Sequence, residues 1–257
     1  MRLVCMDGRS VVALVPAYNE AERIGATVRA LGAIPEVRGV VVVDDGSLDG
    51  TAAEATSYGA AVVRLNRNLG KGGALNTAVS ALRRRVGSGR LRAPDALLLS
   101  DADLGASAVR LRPLISAVLD HTADLAVGDL PSQKGSGGFG MAMRMARFGI
   151  RRFGDLDVHE PLSGQRAIAW SALAAVYPFA GGFGVEIAMT IDALAAGLRV
   201  EEIPVDVTHR ATRLDAGGIA HRFRQARAIA RVCLSHQIAV RSPRTVAYDV
   251  AWRPFGD

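Results

Sequence analysis

Ala96-Leu97-Leu98-Leu99-Ser100-Asp101-Ala102-Asp103-Leu104 reads as an apolar strand that ends in two carboxylates. In α/β proteins the ends of buried strands are where ligands bind. Alternate side chains of a strand face opposite ways, but past its end a turn brings residues two apart toward one ion, as hard oxygen ligands for Mg²⁺ or Mn²⁺. A diphosphate is the partner expected of such an ion. The tripeptide Asp-x-Asp also serves as a solvated turn after a strand, so the neighbouring segments decide its meaning.

Upstream, Val11-Val12-Ala13-Leu14-Val15 is a continuous apolar run closed by Pro16, the pattern of a parallel strand buried on both faces. Asn19 is expected to cap a helix with Glu20 in its first turn, and Ile24, Val28 and Leu31 carry that helix's apolar spacing. Gly39 to Val43 forms the next strand, and Asp49 caps a short helix leading to the strand Ala60-Ala61-Val62-Val63, which ends at Arg64. A Gly-rich loop opens a helix through Leu75, Ala78, Val79 and Leu82. After the Leu97 strand come a helix from Leu111 to Leu119 and a strand at Leu125-Ala126-Val127. This alternation predicts an α/β fold with a mostly parallel, helix-covered sheet. The loop Gly128 to Gly140, rich in Gly, Ser and Lys, marks a seam, so one domain is expected in two halves, about 8–130 and 131–215, followed by a C-terminal helix and tail over 216–257.

With 257 residues and 49% hydrophobic composition the chain can bury a full core. No window approaches about 18 consecutive apolar residues, and Met1 to Asp7 is too short and too quickly charged for a signal peptide, so a cytoplasmic location is expected. Cys5 and Cys233 lack metal-site spacing and read as reduced thiols. The net charge of +6 raises nucleic acid, anionic membrane and phosphorylated ligands as partners. Zinc-finger, RNP-like and heptad patterns are absent and aromatic residues make up only 5%, which disfavours nucleic acid. Over Met141 to Phe153, Arg144, Arg147 and Arg151 share a helical stripe at about 100° per residue. Such a helix suits either peripheral contact with an anionic inner membrane face or a core-packed position with one solvated side, and in both its arginines could receive an acceptor phosphate.

Each strand of the first half ends in polar residues. Strand one offers Pro16-Ala17-Tyr18-Asn19-Glu20 and lacks the Gly-x-Gly-x-x-Gly turn of a dinucleotide fold. Strand two offers Asp44-Asp45-Gly46-Ser47-Leu48-Asp49-Gly50-Thr51, with Asp44 and Asp45 read as ligand contacts and Ser47 and Asp49 as capping residues. Asn68-Leu69-Gly70-Lys71-Gly72-Gly73 sets a glycine-bracketed lysine at a helix start, where backbone amides, dipole and ammonium could face phosphate, although the Walker pattern is missing.

Together these motifs, in this order, resemble the GT-A glycosyltransferases of the family 2 type. Pro161-Leu162-Ser163-Gly164-Gln165-Arg166-Ala167, Pro178 to Ile187 and His209-Arg210 are similar to the corresponding stretches of glucosyl-3-phosphoglycerate synthases; dolichyl- and polyprenyl-phosphate sugar synthases are further relatives. The resemblance implies a GT-A fold and a divalent cation, Mg²⁺ or Mn²⁺. It places Pro16, Tyr18, Glu20, Asp44, Asp45, Lys71, Asp101 and Ala102 on the nucleotide-sugar, Asp103, His209 and Asp101 on the metal, and Glu186, Asp101 and Arg210 in the chemistry. From the residues themselves, His209 reads equally as a surface histidine, and Glu186 as a first-turn carboxylate stabilised by its helix dipole. The segment Gly135 to Met141 lacks the Arg and Thr that such synthases use on phosphoglycerate, which leaves the acceptor open.

The expected activity is metal-dependent transfer of a hexose from a UDP- or GDP-sugar to an acceptor, with a phosphorylated small molecule or polyprenyl phosphate favoured. An inverting enzyme acting on a hydroxyl needs a carboxylate base, for which Glu186 is the candidate; a phosphate acceptor needs none, and a retaining front-face displacement is the other route. The alternatives are a non-catalytic nucleotide-sugar-binding protein and a basic nucleic-acid-binding protein. A homodimer is compatible with the reading.

Overall fold

A computed structural model of the chain describes residues 9–130, 147, 150, 158–181, 184–208 and 249–251. Among these residues one eight-stranded sheet runs in the order β7-β5-β6-β4-β1-β2-β3-β8. Its strands are β1 (Val11–Ala17), β2 (Val37–Asp44), β3 (Ala61–Arg64), β4 (Ala96–Leu99), β5 (Leu125–Asp129), β6 (Arg166–Ala169), β7 (Val200–Pro204) and β8 (Asp249–Ala251). The helices are α1 (Ala21–Gly32), α2 (Thr51–Ser57), α3 (Gly70–Gly87), α4 (Arg112–Leu119), which follows a 3₁₀ segment over Gly105–Leu111, and α5 (Val185–Ala195), with a single helical turn at Leu173–Val176. The sheet is parallel from β4 through β1 and β2 to β3, and again between β5 and β7. The β6 strand runs antiparallel to both β4 and β5, and β8 antiparallel to β3.

The continuous apolar runs are central strands with both faces buried. Val11, Ala13 and Val15 of β1, Val40 and Val42 of β2, and Ala96 and Leu98 of β4 pack with Ile24, Val28 and Leu31 of α1 and Leu114, Ile115 and Val118 of α4. Their neighbours Val12, Leu14, Val41, Val43, Leu97 and Leu99 pack on the other face with Leu75, Val79 and Leu82 of α3 and Val185 and Met189 of α5. Alternation within an unbroken apolar run thus divides the core into two layers.

Register aligns the strand ends on which ligands would be met. Ala17 pairs with Asp44, Asp44 with Arg64, and Leu14 with Leu99. The ladder continues one step past each end, with Asp45 N donating to Ala17 O at 2.8 Å and Ser100 N to Leu14 O at 3.1 Å. Asp45 and Asp101 therefore emerge at one edge, on either side of the β1 end.

The start of α1 departs from expectation. Asn19 has φ 56° and lies outside the helix, and Glu20 occupies the N-cap position without a side-chain cap. The amides at this end are satisfied from the β2–α2 loop instead: Asn19 N donates to Ser47 Oγ, Glu20 N to Thr51 Oγ1 and Ala21 N to Asp49 Oδ2. Asp49 also accepts from Thr51 N at 3.0 Å, but the N-cap of α2 is Gly50 and carries no side-chain cap, so Asp49 braces the helix start from one residue before the expected position. A cap supplied 28 residues away leaves no local signal.

Candidate active site

The lysine of the Gly-rich stretch lies in the first turn of α3, and its ammonium is the centre of the site. Lys71 Nζ donates to Asp101 Oδ1 at 2.6 Å and pairs with Glu186 Oε1 at 2.9 Å. The three side chains come from the starts of α3 and α5 and the end of β4, and are 26%, 29% and 12% exposed for Lys71, Asp101 and Glu186. Burial alone would lower the Lys71 pKa, but attraction to Asp101 and then Glu186 overrides it and holds the ammonium above the ordinary lysine value.

Asp101 is gripped from its other side by a residue that has no assigned role from sequence. Gln165 Nε2 donates to Asp101 Oδ2 at 2.6 Å, while Gln165 Oε1 accepts from Asp101 N at 3.2 Å. Gln165 is fully buried and is followed by Arg166, the first residue of β6. The buried Arg166 guanidinium donates to Ser163 O, Thr190 Oγ1 and Pro161 O, so it holds the loop before β6 against α5. Desolvation pushes its pKa down to about 10, which leaves it charged at neutral pH. Gly164 closes the arrangement: a Cβ there would lie 2.3 Å from Lys71 Nζ and 2.6 Å from Asp101 Oδ2. A glycine lets the loop lie against this ion pair as it stands, where any larger residue would displace the ammonium or the carboxylate.

Asp45 and Asp44 divide their work. Asp45 Oδ1 accepts from Leu69 N at 2.7 Å and Oδ2 from Gly70 N at 2.8 Å. The first amides of α3, expected to face phosphate, are therefore taken by a carboxylate, which fixes the turn that carries Lys71. Desolvation by burial raises the Asp45 pKa in spite of these bonds. Asp44, expected on the ligand, is 0% exposed; Oδ1 accepts from Ser47 N at 2.8 Å and Oδ2 lies 3.3 Å from Arg64 Nε. Through these two contacts it ties the β2 end to the loop that follows and to the end of β3.

Pro16 is the last but one residue of β1, paired with Val43, Tyr18 is 45% exposed, and Glu20 is half-buried at the same edge. Ala102 is buried, and Asp103 is half-buried between it and the buried Leu104. Asp101 and Asp103 supply hard carboxylate oxygens of the kind Mg²⁺ or Mn²⁺ takes. Among the described residues no three His, Cys, Asp or Glu side chains are gathered to hold a metal. His209 and Arg210 lie outside the described residues, as do Arg144 and Arg151.

Arg147 is described, and its surroundings differ from a free basic stripe. Its guanidinium donates to His159 O at 2.6 Å. It lines a cavity of about 580 Å³ together with Asp129, Glu160 and Asp206. Burial, with Asp129 and Glu202 nearby, raises the Glu160 pKa. An acidic lining of this kind disfavours phosphate at Arg147. Among the described residues no helix is long and apolar enough to cross a membrane.

Comparison with known proteins adds four findings. The sequence model described as glycosyl transferase family 2 matches residues 12–174. The undecaprenyl-phosphate mannosyltransferase of Micrococcus luteus is 31% identical over 217 residues, covering 78% of this chain and 84% of that protein. The glucosyl-3-phosphoglycerate synthase of Mycolicibacterium paratuberculosis is 28% identical over 210 residues, covering 72% of this chain and 60% of that protein. Among solved structures, glucosyl-3-phosphoglycerate synthase from Mycobacterium tuberculosis in complex with Mg²⁺ and uridine diphosphate superposes with a TM-score of 0.69 at 25% identity, covering 88% of this chain and 80% of that one.

Proposed function

Because this chain belongs to glycosyl transferase family 2, we propose that the edge built from Lys71, Asp101 and Asp103 seats the diphosphate of a UDP- or GDP-sugar, from which a hexose passes to a phosphorylated acceptor. The protein is a glycosyltransferase of the hexosyltransferase class with a GT-A fold. The observation that carries the proposal is the Lys71 ammonium held 2.6 Å from Asp101 just past the end of β4, two residues before the half-buried Asp103.

The residues divide the work as their contacts allow. Asp45 fixes the first turn of α3, and thereby the stem of Lys71, at the donor edge. The ammonium, kept charged by Asp101 and Glu186, is placed to meet the negative charge that develops on a leaving diphosphate. Gln165 takes one oxygen of Asp101 and Lys71 the other, which suits Asp101 to a place beside the sugar or ribose, and the second carboxylate of the Asp-x-Asp pattern, Asp103, is the metal ligand in this reading. A Mg²⁺ or Mn²⁺ ion held there supplies charge neutralisation on the diphosphate. The solved relative in complex with Mg²⁺ and uridine diphosphate supports a divalent ion alongside the nucleotide.

Glu186 is engaged by Lys71 and only 12% exposed, an arrangement suited to fixing the lysine rather than to deprotonating an incoming hydroxyl. A phosphate acceptor is already anionic and needs no base. The two relatives named above each carry a phosphate in the compound their names specify, undecaprenyl phosphate in one and glucosyl-3-phosphoglycerate in the other, which supports a phosphorylated acceptor.

The test is to incubate the protein and Mn²⁺ with UDP- and GDP-linked glucose and mannose, offering undecaprenyl phosphate, 3-phosphoglycerate and their dephosphorylated forms. Transfer to one phosphorylated acceptor and to none of the dephosphorylated ones is expected. Consumption of no donor would refute the proposal, and transfer to a dephosphorylated acceptor would refute its acceptor class.

A further inference from the structure

The Asp101-Ala102-Asp103 turn is pinned from beneath by a residue of another element. Thr27, in the middle of α1, is 0% exposed. Its hydroxyl donates to Ala102 O at 2.8 Å and accepts from Gly105 N at 2.8 Å. The alternative acceptor, Arg23 O one helical turn back, lies at 3.3 Å, so the single hydroxyl proton is committed to the turn rather than to its own helix. One turn earlier on the same helix, Arg23 donates to Asp103 O at 3.3 Å. Ala102 and Leu104 are both buried against the layer that contains α1, and Gly105 takes φ 55°.

We propose that Thr27 is the positioning residue of the acidic turn: its hydroxyl fixes the peptide between Ala102 and Asp103, and so sets where the Asp103 carboxylate stands relative to Asp101. The physical reason is that the peptide unit is planar. Orienting the Ala102 carbonyl fixes the N–H of the same plane and leaves Asp103 only its own torsions to vary. The bond to Gly105 N holds the far end, so the turn cannot widen without breaking one buried and one part-buried hydrogen bond at once. Metal sites depend on such outer contacts to hold their ligands in place. This inference rests on the reading of Asp103 as a metal ligand.

The test is Mn²⁺ titration followed by electron paramagnetic resonance in the presence of UDP, with UDP affinity measured separately in EDTA, for wild type, T27V, T27S and T27C. T27V keeps the shape and removes the hydroxyl. It is expected to need about 10-fold more Mn²⁺ for half-saturation, with UDP affinity in EDTA unchanged, while T27S, which restores the hydroxyl, stays within about 2-fold of wild type. T27C supplies a weaker donor of similar volume, falls between them, and carries the test if T27V does not fold. A T27V or T27C protein that melts earlier but binds Mn²⁺ as wild type does would overturn the proposal, leaving Thr27 a purely structural bond. Wild-type protein that binds UDP with no Mn²⁺ dependence would refute the underlying metal-site reading, and the Thr27 proposal with it; that failure shows in wild type alone.

Discussion

Lys71 Nζ stands 2.6 Å from Asp101 Oδ1 and 2.9 Å from Glu186 Oε1, so one ammonium ties the end of β4 to the start of α5. Replacing it by methionine leaves two partly buried carboxylates facing each other without a counter-ion. K71M is expected to lower stability by about 2 kcal/mol and kcat/KM by about 10²-fold or more, read by chemical denaturation and by donor turnover. The pKa of Lys71 is raised in the folded state, so its contribution is fully present below the ordinary lysine value of about 10.4 and is lost as pH rises beyond it. The stability gap between wild type and K71M should therefore stay flat from about pH 6 to about pH 9 as far as Lys71 is concerned.

Gly164 tests the same ion pair sterically. A methyl group there would stand 2.3 Å from Lys71 Nζ and 2.7 Å from Asp101 Oδ1, too close unless the pair opens. G164A should cost about 1–3 kcal/mol and reduce turnover disproportionately to the stability loss. An alanine variant with wild-type turnover would mean that the Lys71–Asp101 contact is dispensable for activity.

The Asp45 carboxylate carries a pH signature. Burial raises its pKa, so the proton it takes up favours the folded state, a contribution fully present below the ordinary aspartate value of about 3.9 and lost as pH rises through the raised one. Asparagine does not titrate. Stability measured against D45N should move in favour of wild type as pH falls from neutral toward about 4, while at neutral pH D45N binds nucleotide more weakly because the turn carrying Lys71 loses one of its two acceptor oxygens. A pH-independent stability difference would contradict this account.

The parallel half of the sheet was legible because each strand is an unbroken apolar run that must be covered twice, as β1, β2 and β4 are. Lys71, Asp101 and Glu186, marked by motif, do meet in space. What escaped has a physical reason in each case. β6 begins with an arginine buried by carbonyls and a hydroxyl from other segments, a pattern no apolar periodicity reveals. β7, Val200-Glu201-Glu202-Ile203-Pro204, lies at the sheet edge with two of its five residues half-buried and two exposed, so its strand signal is weak. Thr27 and Gln165 act on the acidic turn across separations of 75 and 64 residues, and a threonine in a helix or a glutamine before a strand carries no mark of that in sequence. Asn19 failed as a cap because the oxygens that satisfy this helix end come from the next loop.

The central claim is that Asp103, beside Lys71 and Asp101, joins a divalent ion to a nucleoside diphosphate. Calorimetric titration of UDP and of GDP into wild type and D103N, each with Mn²⁺ and with EDTA, tests it most directly. In wild type Mn²⁺ should tighten one of the two nucleotides by about 10-fold or more, and D103N should lose that gain while keeping the affinity seen in EDTA. Equal affinity with and without Mn²⁺ in wild type, or an undiminished gain in D103N, would contradict the account.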